Sequence, residues 1–505
     1  VVIDEGFPGE EGALGKISDP DLAKVVFDWK AWLHRHPEWA GLIKGPLLDA
    51  KILAWLVNPS EESYAQEWLE EKYGAQDLAA LTFKMERQLR DSGLWSIYET
   101  LELPLISALF GMEHTGITLD RSCLESLERQ WSGQMQASRQ AFMAASGAPP
   151  DLNLNSPKQL AFLLFEKMKL PTFKKIKTGF STDEEVLTKL AKIHPAVKHL
   201  LEHRELAKLR STYIEGLLSA INAATGKIHA TFHQEGTQTG RLSCSNPNLQ
   251  NIPVRTDHGM ALRRAFVPAG EGWEFLSLDY SQIDLRVFAH LSGDPELIRF
   301  FQEGRDIHQE TAKALLAGQE GVAVTPDMRR HAKAVNFGIL YGMGAWGLAR
   351  ELDIDPKKAE EFIDLYNIRF PGVQTWKDKV IEDARRDGYV KTLVGRVRFL
   401  EHINSSRRDL REFSERAAVN TPVQGTSSDI VKIAMIKLLA HLAGERLKTR
   451  MLLQVHDEIL LEGPRGEMIF HAPKFCQILC QAVTLKVPLE VHAKMGPNWR
   501  DIVPL

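Results

Sequence analysis

Two aspartates occupy positions from which a carboxylate can leave a sheet and meet a ligand. Asp279 follows the short apolar run 275–278, which predicts a buried strand, and the residues after it recur at helical spacing. Asp457 lies between two apolar runs in MLLQVHDEILLE, a pattern that predicts a hairpin with this residue at its tip. Either residue alone is more often an ordinary surface group than a ligand. Together they suit a site for divalent cations with oxygen ligands.

A second set of chemically useful residues lies on one predicted helix. The segment RRHAKAVNFGILYG places two cations and two aromatic residues at successive steps of four, as one stripe: Arg329, Lys333, Phe337 and Tyr341. Such a stripe is awkward both to bury and to solvate. It suits a nucleoside triphosphate, with the cations on the phosphates, Phe337 on the sugar and base, and Tyr341 on the next base of the stack.

In combination these segments resemble the family A DNA polymerases. DYSQIDLR, RRHAKAVNFGILYG and QVHDE resemble motifs A, B and C of that family, in the family's order. TGRLSCSNPNLQNIPVR and ERAAVNTPVQGTSSDI resemble its template-primer segments, so the similarity extends from about residue 100 to the C-terminus. Three motifs in order are far more specific than any one of them.

The elements that hold these residues follow from the resemblance. It implies an α+β multi-domain fold shaped like a right hand, with an antiparallel sheet in the palm and helical fingers and thumb. A truncated 3′-5′ exonuclease-like α/β domain is expected to precede the hand. The predicted regions are a front domain (1–104), a connector and thumb (105–223), the first part of the palm (224–295), the fingers (296–406) and the second part of the palm (407–505).

The resemblance also assigns roles in a two-metal phosphoryl transfer. Asp279 and Asp457, with the backbone carbonyl of Tyr280, are expected to hold two Mg²⁺ ions, which Mn²⁺ can replace. Glu458 is expected to support the catalytic site, and Lys333 to protonate the leaving pyrophosphate. The residues expected to bind the deoxynucleoside triphosphate are Gln282, Asp284, His308, Arg329, Lys333, Phe337 and Tyr341.

Primer-template DNA is the second expected partner. The thumb cations Arg204 and Lys208 lie four apart on a predicted helix, which suits phosphate contacts that do not read sequence. Polar side chains that can donate to the minor-groove acceptors shared by all base pairs are expected to follow the duplex. They are Arg241, Asn248, Gln250, Arg255, Asn420, Gln424 and His456.

Two positions are expected to select the sugar. Phe337 matches a family position where a phenylalanine, lacking a hydroxyl, makes the enzyme discriminate against dideoxynucleotides. Asp284 departs from the family pattern, which usually has glutamate there as the gate against a ribose 2′-hydroxyl. Because aspartate is one methylene shorter, we expect modestly elevated ribonucleotide incorporation.

The first hundred residues resemble, more weakly, the exonuclease-like domain that precedes the polymerase in bacterial members of the family. Asp28 and Asp49 resemble its middle segments, and Tyr73 with Asp77 reproduces a YxxxD spacing. The first metal-ligand pair, a DxE strand, is missing before them. We therefore expect a scaffold without proofreading activity, and no 5′-nuclease segment upstream.

Composition narrows the class of protein but does not identify a partner. Hydrophobic residues make up 44% and charged residues 25%, which excludes long disordered or fibrous stretches. Four scattered cysteines exclude a disulfide framework, and Cys476 and Cys480 suit one helix face better than a zinc site. A net charge of −4 decides nothing, because a basic cleft can lie within an acidic surface. No signal peptide or membrane span is apparent, so we expect a cytoplasmic monomer, nucleoid-associated if bacterial.

Two alternatives remain open at this point. A single-subunit RNA polymerase shares the palm and the lysine-bearing helix, but a carboxylate at position 284 argues against it because that group excludes ribose. A non-catalytic DNA-binding relative would be marked by loss of a metal carboxylate, and both Asp279 and Asp457 are present. Primer extension with deoxynucleotides, ribonucleotides or no nucleotide separates the three readings.

Overall fold

The front domain is built on a three-stranded parallel sheet. The computed structural model describes residues 1–9, 12–177, 179–254, 256–315 and 323–505. The sheet order is β1-β2-β3, and helices pack against it. The elements are β1 (Val2–Ile3), α1 (Ala13–Ser18), β2 (Lys24–Val26), α2 (Trp29–Arg35), β3 (Leu47–Asp49), α3 (Ala50–Val57), α4 (Gln66–Tyr73), α5 (Leu78–Asp91) and α6 (Trp95–Ile97).

Three aspartates of the front domain begin its helices. Asp28 accepts a hydrogen bond from the backbone N–H of Ala31, and Asp77 accepts one from Ala80. Asp49 caps α3 in the same way through Ile52. A side-chain oxygen at the N-cap satisfies a backbone donor that the helix itself leaves unpaired. Asp28 and Asp49 thus fix two strand-to-helix turns, and Asp77 fixes the turn between α4 and α5.

The connector and thumb are mainly helical, as predicted. Ser156 caps α9 and Pro157 takes its first position, as the sequence indicates. Two short strands, β5 and β6, pair antiparallel within the thumb. The elements are α7 (Leu103–Thr115), β4 (Ile117–Leu119), α8 (Arg121–Ser146), α9 (Pro157–Ala161), β5 (Lys175–Ile176), β6 (Gly179–Phe180), α10 (Glu184–Ala191), α11 (Pro195–Leu209) and α12 (Gly216–Ala220).

The palm is an antiparallel sheet in the order β14-β15-β11-β16-β17. The first part contributes β7 (Lys227–Ile228), β8 (Thr231–His233), β9 (Ser243–Ser245), α13 (Asp257–Arg263), β10 (Phe266–Val267), β11 (Trp273–Tyr280) and α14 (Ile283–Ser292). Between the two parts the fingers form α15 (Pro295–Gln302), α16 (Ile307–Leu315), α17 (Pro326–Leu340), α18 (Ala345–Leu352), α19 (Pro356–Arg369), α20 (Pro371–Asp387), β12 (Tyr389–Lys391) and β13 (Val397–Phe399). The second part contributes α21 (Arg408–Gly444), β14 (Arg450–Val455), β15 (Glu458–Pro464), α22 (Arg465–Cys480), β16 (Val491–Gly496) and β17 (Val503–Pro504).

Separate hydrophobic cores lie under these regions. One core joins the palm sheet to the fingers, a second fills the front domain, and a third lies in the thumb from Phe142 to Leu200. The cores agree with several packed units in a chain of this length. The exact boundaries between regions remain predictions. No helix within the described ranges is both long and apolar enough to cross a bilayer.

Candidate active site

The palm sheet brings the two predicted aspartates to one edge. Asp279 is near the end of the central strand β11 and lies opposite Glu458 in the β11–β15 register. Asp457 lies in the turn between β14 and β15, and its carbonyl accepts a hydrogen bond from the Tyr280 N–H at 3.2 Å. The predicted strand and the predicted hairpin are both present. Residues 178 positions apart in sequence are therefore neighbours.

Burial and mutual repulsion leave these carboxylates in electrostatic conflict. Burial, followed by the charge of Asp279, raises the pKa of Asp457 to about 7. Burial and the charge of Glu458 raise the pKa of Asp279 above its ordinary value. Among the described residues neither carboxylate has an ion-pair partner, and the more distant charges of Lys494 near Asp279 and Arg241 near Asp457 offset burial and repulsion only in part. Buried, unpaired carboxylates beside each other fit a divalent cation with oxygen ligands.

The described part of the chain contains no cluster of three or more histidine, cysteine or acidic side chains that would hold a metal by itself. Glu458 does not complete such a cluster, because its Oε1 accepts hydrogen bonds from Ser277 Oγ at 2.7 Å and from Trp499 Nε1 at 3.3 Å. Its charge still acts on Asp279, as expected of a supporting group.

Both turns at the site contain a non-glycine residue in the left-handed region. Gln282 has φ 52° where β11 gives way to α14, and His456 has φ 58° in the β14–β15 turn. Each such residue costs on the order of 1 kcal/mol or more and persists only when its surroundings fix it. Gln454 provides part of that support, since its Nε2 donates to the His456 carbonyl at 2.5 Å.

Beside the aspartates lies a cavity of about 250 Å³. Segments far apart in sequence line it, and most of its charged or aromatic lining residues were predicted site residues. These are Arg241, Gln250, Asp284, Phe337, Tyr341, His456 and Asp457. The structure thus brings together one carboxylate of the site, the aromatic half of the helical stripe and part of the expected DNA track.

The stripe lies along α17 as predicted. Arg329 and Lys333 are exposed, whereas Phe337 is half-buried and stacks on Tyr341 with ring centroids 6.0 Å apart. The Lys333 ammonium lies 5.9 Å from the centroid of the Phe337 ring. Arg329 is paired with Asp306, the residue just before the neighbouring helix α16, at 2.7 Å. An anion that binds Arg329 therefore either displaces the Asp306 carboxylate or shares the Arg329 guanidinium with it.

His308 is buried against the same helix. Burial lowers its pKa to about 4, so the ring is neutral at pH 7. The Asn336 amide lies 3.0 Å from Nδ1 and orients its oxygen toward Thr311. Because an amide nitrogen only donates, Nδ1 accepts, and the ring proton is on Nε2. His308 can thus donate a hydrogen bond without carrying charge, a detail for which the sequence offered no signal.

Asp284 is held by two donors across the cavity. Its Oδ2 accepts from the Tyr341 hydroxyl at 3.0 Å and from Arg241 Nη2 at 3.2 Å. Its Oδ1 is buried and has no hydrogen-bond partner. Burial and the Asp284 charge raise the Tyr341 pKa above its ordinary value, so the hydroxyl remains a donor. The predicted gate residue is therefore fixed to the stripe on one side and to the palm on the other.

Several predicted DNA-contact residues are held by the protein itself. Gln250 Nε2 donates to the carbonyl and the side-chain oxygen of Gln454, at 3.1 and 3.0 Å. Asn248 caps the turn that leads to Gln250. Asn420 has a buried side-chain oxygen without a partner, which leaves an acceptor free for a ligand. Gln424 lies close enough to the Tyr341 hydroxyl to lower its pKa, in opposition to burial and Asp284. Arg255 lies outside the described residues.

The two thumb cations differ in their surroundings. Arg204 is half-buried, and its Nε and Nη1 donate to the carbonyls of Leu154 and Thr182 at 3.1 and 2.7 Å. These bonds tie α11 to two loops of the thumb, so Nη2 and the second N–H of Nη1 are left for a phosphate. Lys208 is exposed on the same helix. Of the pair, Lys208 is the better placed to contact DNA.

A buried charge network behind the cavity was not anticipated. Glu102 Oε1 accepts from Lys432 Nζ at 2.7 Å and from Arg396, and Arg396 also binds Asp429 Oδ1 at 2.8 Å. All four side chains are at most 5% exposed. The network joins the front of the chain to α21. Because its members are up to 330 positions apart, no local pattern could have revealed it.

The front-domain aspartates have partners that a metal site would not. Lys51 Nζ lies 3.1 Å from Asp28 Oδ2 and 2.5 Å from Glu235 of the palm. Asp49 is 1% exposed, and its Oδ2 accepts from a backbone N–H. Burial and the charge of Asp28 raise its pKa to about 8, so it is largely protonated at pH 7. Tyr73 donates to Glu61 at 2.6 Å instead of to an aspartate.

The sequence of the chain is similar to those of known proteins of one family. Residues 121–501 match the model of "DNA polymerase family A". DNA polymerase I of Geobacillus stearothermophilus is 47% identical over 422 residues, which cover 84% of this chain and 48% of the relative. DNA polymerase I of Caldicellulosiruptor bescii is 41% identical over 506 residues, which cover 97% and 59%. The chain thus spans about half the length of the curated relatives it matches.

A solved structure shares the whole architecture. The POL domain of Pol1 from M. smegmatis, solved in complex with DNA primer-template and dNTP, superimposes with a TM-score of 0.91 at 37% identity. The match covers 98% of this chain and 89% of that one. The predicted α+β right-hand fold is therefore confirmed.

Proposed function

Because this chain belongs to DNA polymerase family A, we propose that it is a DNA-directed DNA polymerase that extends a primer 3′ end with deoxynucleoside triphosphates. The cavity beside the paired aspartates is the observation that carries the proposal. It is lined by a carboxylate of the expected metal site, by the sugar-selecting residues and by residues of the expected DNA track. Phosphoryl transfer needs these three functions in one place, because it depends on alignment and charge neutralisation.

Divalent metal ions are the expected cofactors of this family, and Mg²⁺, with Mn²⁺ as a substitute, is our proposal for this chain. Asp279 and Asp457, with the carbonyl of Tyr280, would hold them. When bound, the ions supply Lewis-acid stabilisation of the reacting phosphate and lower the pKa of the primer hydroxyl. Burial and the charge of Asp279 destabilise the ionised form of Asp457, which is why its pKa is raised. Cations bound at the site would remove this destabilisation.

The stripe on α17 and its neighbour His308 serve the triphosphate. Arg329 and Lys333 are exposed cations that meet phosphate oxygens, and Arg329 exchanges its contact with Asp306 as the nucleotide binds. His308 donates from Nε2 as a neutral group. Lys333 donates its proton to the departing pyrophosphate, which makes it the general acid.

Sugar selection depends on Phe337 and Asp284. Phe337 presents a ring without a hydroxyl to the 3′ side of the sugar. A dideoxy sugar lacks its own 3′-hydroxyl, and the Phe337 ring offers no donor that could replace it. Asp284 excludes a ribose 2′-hydroxyl, and its bonds to Tyr341 and Arg241 fix the carboxylate at that position. A single-subunit RNA polymerase would require this space to be open to the hydroxyl.

The duplex is held by groups that do not depend on base sequence. Lys208, and in part Arg204, contact phosphates from the thumb. Polar side chains near the cavity donate to minor-groove acceptors that every correct pair presents. The residues proposed for this track are Arg241, Asn248, Gln250, Arg255, Asn420, Gln424 and His456. We propose that the chain acts as a monomer on primer-template DNA.

The front domain is proposed to lack proofreading activity. Lys51 neutralises Asp28, and Asp49 is buried as a helix cap, so neither carboxylate is free to bind a metal. Degradation of a labelled primer in the absence of nucleotides would contradict this part of the proposal.

Primer extension by the Asp279→Asn and Asp457→Asn variants tests the central claim. Each change removes a charge that would hold the metal, and we expect extension to slow on the order of a thousandfold. Parallel reactions contain deoxynucleotides, ribonucleotides or no nucleotide. Extension with ribonucleotides alone would favour an RNA polymerase, and none with either set would favour a non-catalytic relative.

Asp327→Asn is the matched control. Asp327 lies on α17 in the fingers, is 75% exposed and pairs only with the exposed Arg330. Its loss should leave extension within about twofold, since exposed ion pairs contribute at most about 1 kcal/mol. Full-speed synthesis by either palm variant would contradict the assignment of the metal site.

A further inference from the structure

An ion pair joins the pocket around Asp28 and Asp49 of the front domain to the palm. Lys51 Nζ contacts both Asp28 of the front domain and Glu235 of the palm, at 3.1 and 2.5 Å. Burial alone would lower the Lys51 pKa, but these two carboxylates outweigh burial and raise it above its ordinary value. The lysine is thus a permanent cation between the carboxylate of one region and the carboxylate of another.

The residues just before Glu235 are bound from the same side. Lys30 of the front domain donates to the Phe232 carbonyl, so the strand β8 is contacted through its backbone. Gln234 Nε2 donates to Glu102 twice, to Oε2 at 2.6 Å and to the carbonyl at 3.0 Å. Residues 232, 234 and 235 therefore each have a contact with a residue of the front domain.

This segment leads directly to the gate. Six residues after Glu235 comes Arg241, whose Nη2 binds Asp284 Oδ2 at 3.2 Å. Within the intervening turn, Thr237 Oγ1 donates to the Arg241 carbonyl at 2.8 Å. From the other side, Ser428 Oγ of α21 donates to the Gly240 carbonyl at 2.9 Å. A shift of the segment would thus move Arg241 relative to Asp284.

Gly240 also fixes how the segment packs. It has φ 83°, and a Cβ there would lie 2.5 Å from the Arg396 Nε. Arg396 is in turn bound by Glu102. Glu102 therefore contacts Gln234 near one end of the segment. It also binds Arg396, the side chain that packs against Gly240 near the other end. Lys51 and Glu102 of the front domain thus hold the same short turn, Lys51 through Glu235 and Glu102 through Gln234.

We propose that the front domain is a positioning element of the polymerase site, which holds residues 232–241 through Lys51 and Glu102 and thereby sets Arg241 against the gate residue Asp284. The inference rests on the proposed polymerase function. It gives the front-domain pocket around Asp28 a structural role, with Lys51 as the cation between the two regions. Lys51, Glu235 and Glu102 are positioning residues that act through Arg241.

The test compares Lys51→Met with Lys72→Met in the full chain. Lys72 is a matched control, because it forms an ion pair with Glu61 inside the front domain and has no contact with the palm among the described residues. Steady-state extension gives KM for primer-template, kcat, and the ratio of deoxynucleotide to ribonucleotide incorporation. For Lys51→Met we expect KM to rise and selectivity to fall, each about three- to tenfold, the size of one coupled ion pair. We expect kcat to change less than about twofold, since the metal ligands are not touched.

Two further variants separate positioning from mere stability. Lys51→Arg keeps the charge and should restore selectivity, and Glu235→Gln should reproduce the defect from the palm side even if Lys51→Met fails to fold. Equal KM and selectivity for Lys51→Met and Lys72→Met, or for Glu235→Gln and the unaltered chain, would overturn the inference while leaving the polymerase function intact. If the unaltered chain extends no primer, the proposed function fails, and this inference fails with it.

Discussion

The buried charge network behind the active site allows a quantitative prediction. Glu102, Arg396, Asp429 and Lys432 are two carboxylates and two cations, so their formal charges cancel. Glu102 is fully buried and accepts from Lys432 at 2.7 Å, from Gln234 at 2.6 Å and from Arg396. Glu102→Ala would leave two buried cations facing one carboxylate.

Loss of one partner of a buried ion pair costs about 3–5 kcal/mol, because the remaining charge is desolvated without compensation. For a cooperative unit of about 150–250 residues this corresponds to a fall in Tm of about 6–20 °C. The change should be seen in the unfolding transition that includes the palm, since α21 carries two members of the network. Differential scanning calorimetry at neutral pH measures it directly.

A double variant tests whether charge balance is the cause. Glu102→Gln with Lys432→Met removes one charge of each sign and leaves the Arg396–Asp429 pair intact. It should therefore lose less stability than the two single variants added together. Glu86→Ala is the control, since Glu86 pairs with Arg90 at the surface of the same domain and should cost at most about 1 kcal/mol. The electrostatic reasoning is wrong if Glu102→Ala and Glu86→Ala have the same Tm. It is also wrong if the double variant loses as much stability as the two single variants added together.

Three more predictions concern the site itself. Phe337→Tyr should reduce discrimination against dideoxynucleotides by about tenfold or more, the value of one added hydrogen bond, and unchanged ratios of kcat/KM would refute the sugar-side assignment. Asp284→Glu should lower ribonucleotide incorporation by up to about tenfold, as one methylene closes the gate, and an unchanged or higher rate would show that length at this position is not limiting. Mg²⁺ should raise Tm more at pH 8 than at pH 6. Without metal, the raised pKa of Asp457 lowers folding stability progressively as the pH rises from its ordinary value of 3.8 to about 7. At pH 6 a cation must displace the Asp457 proton, whereas at pH 8 it meets a carboxylate that is already ionised. Asp457→Asn should weaken this pH dependence, and an equal shift at both pH values in the unaltered chain would contradict it.

The local parts of the site could be predicted because each depends on a short stretch of sequence. The apolar run before Asp279 becomes β11, the runs around Asp457 become the β14–β15 hairpin, and the four-residue steps of the stripe become one face of α17. Periodicity of two or 3.6 residues encodes such features within one segment. The proton position on His308 could not be predicted, since it depends on Asn336, a partner 28 positions away.

Long-range ion pairs explain why similar aspartates have different fates in the two halves of the chain. Asp28 resembles a nuclease ligand in sequence, yet Lys51 lies against it, and that lysine is also bound by Glu235. Asp279 and Asp457 are no more distinctive as single residues, but among the described side chains no cation forms an ion pair with them. Burial and a neighbouring carboxylate raise both pKa values, Glu458 acting on Asp279 and Asp279 acting on Asp457. The physical feature that distinguishes the proposed metal site is thus a pair of half-buried carboxylates without an ion-pair partner among the described residues. A motif alone cannot supply that criterion, because the neutralising cation can come from anywhere in the fold.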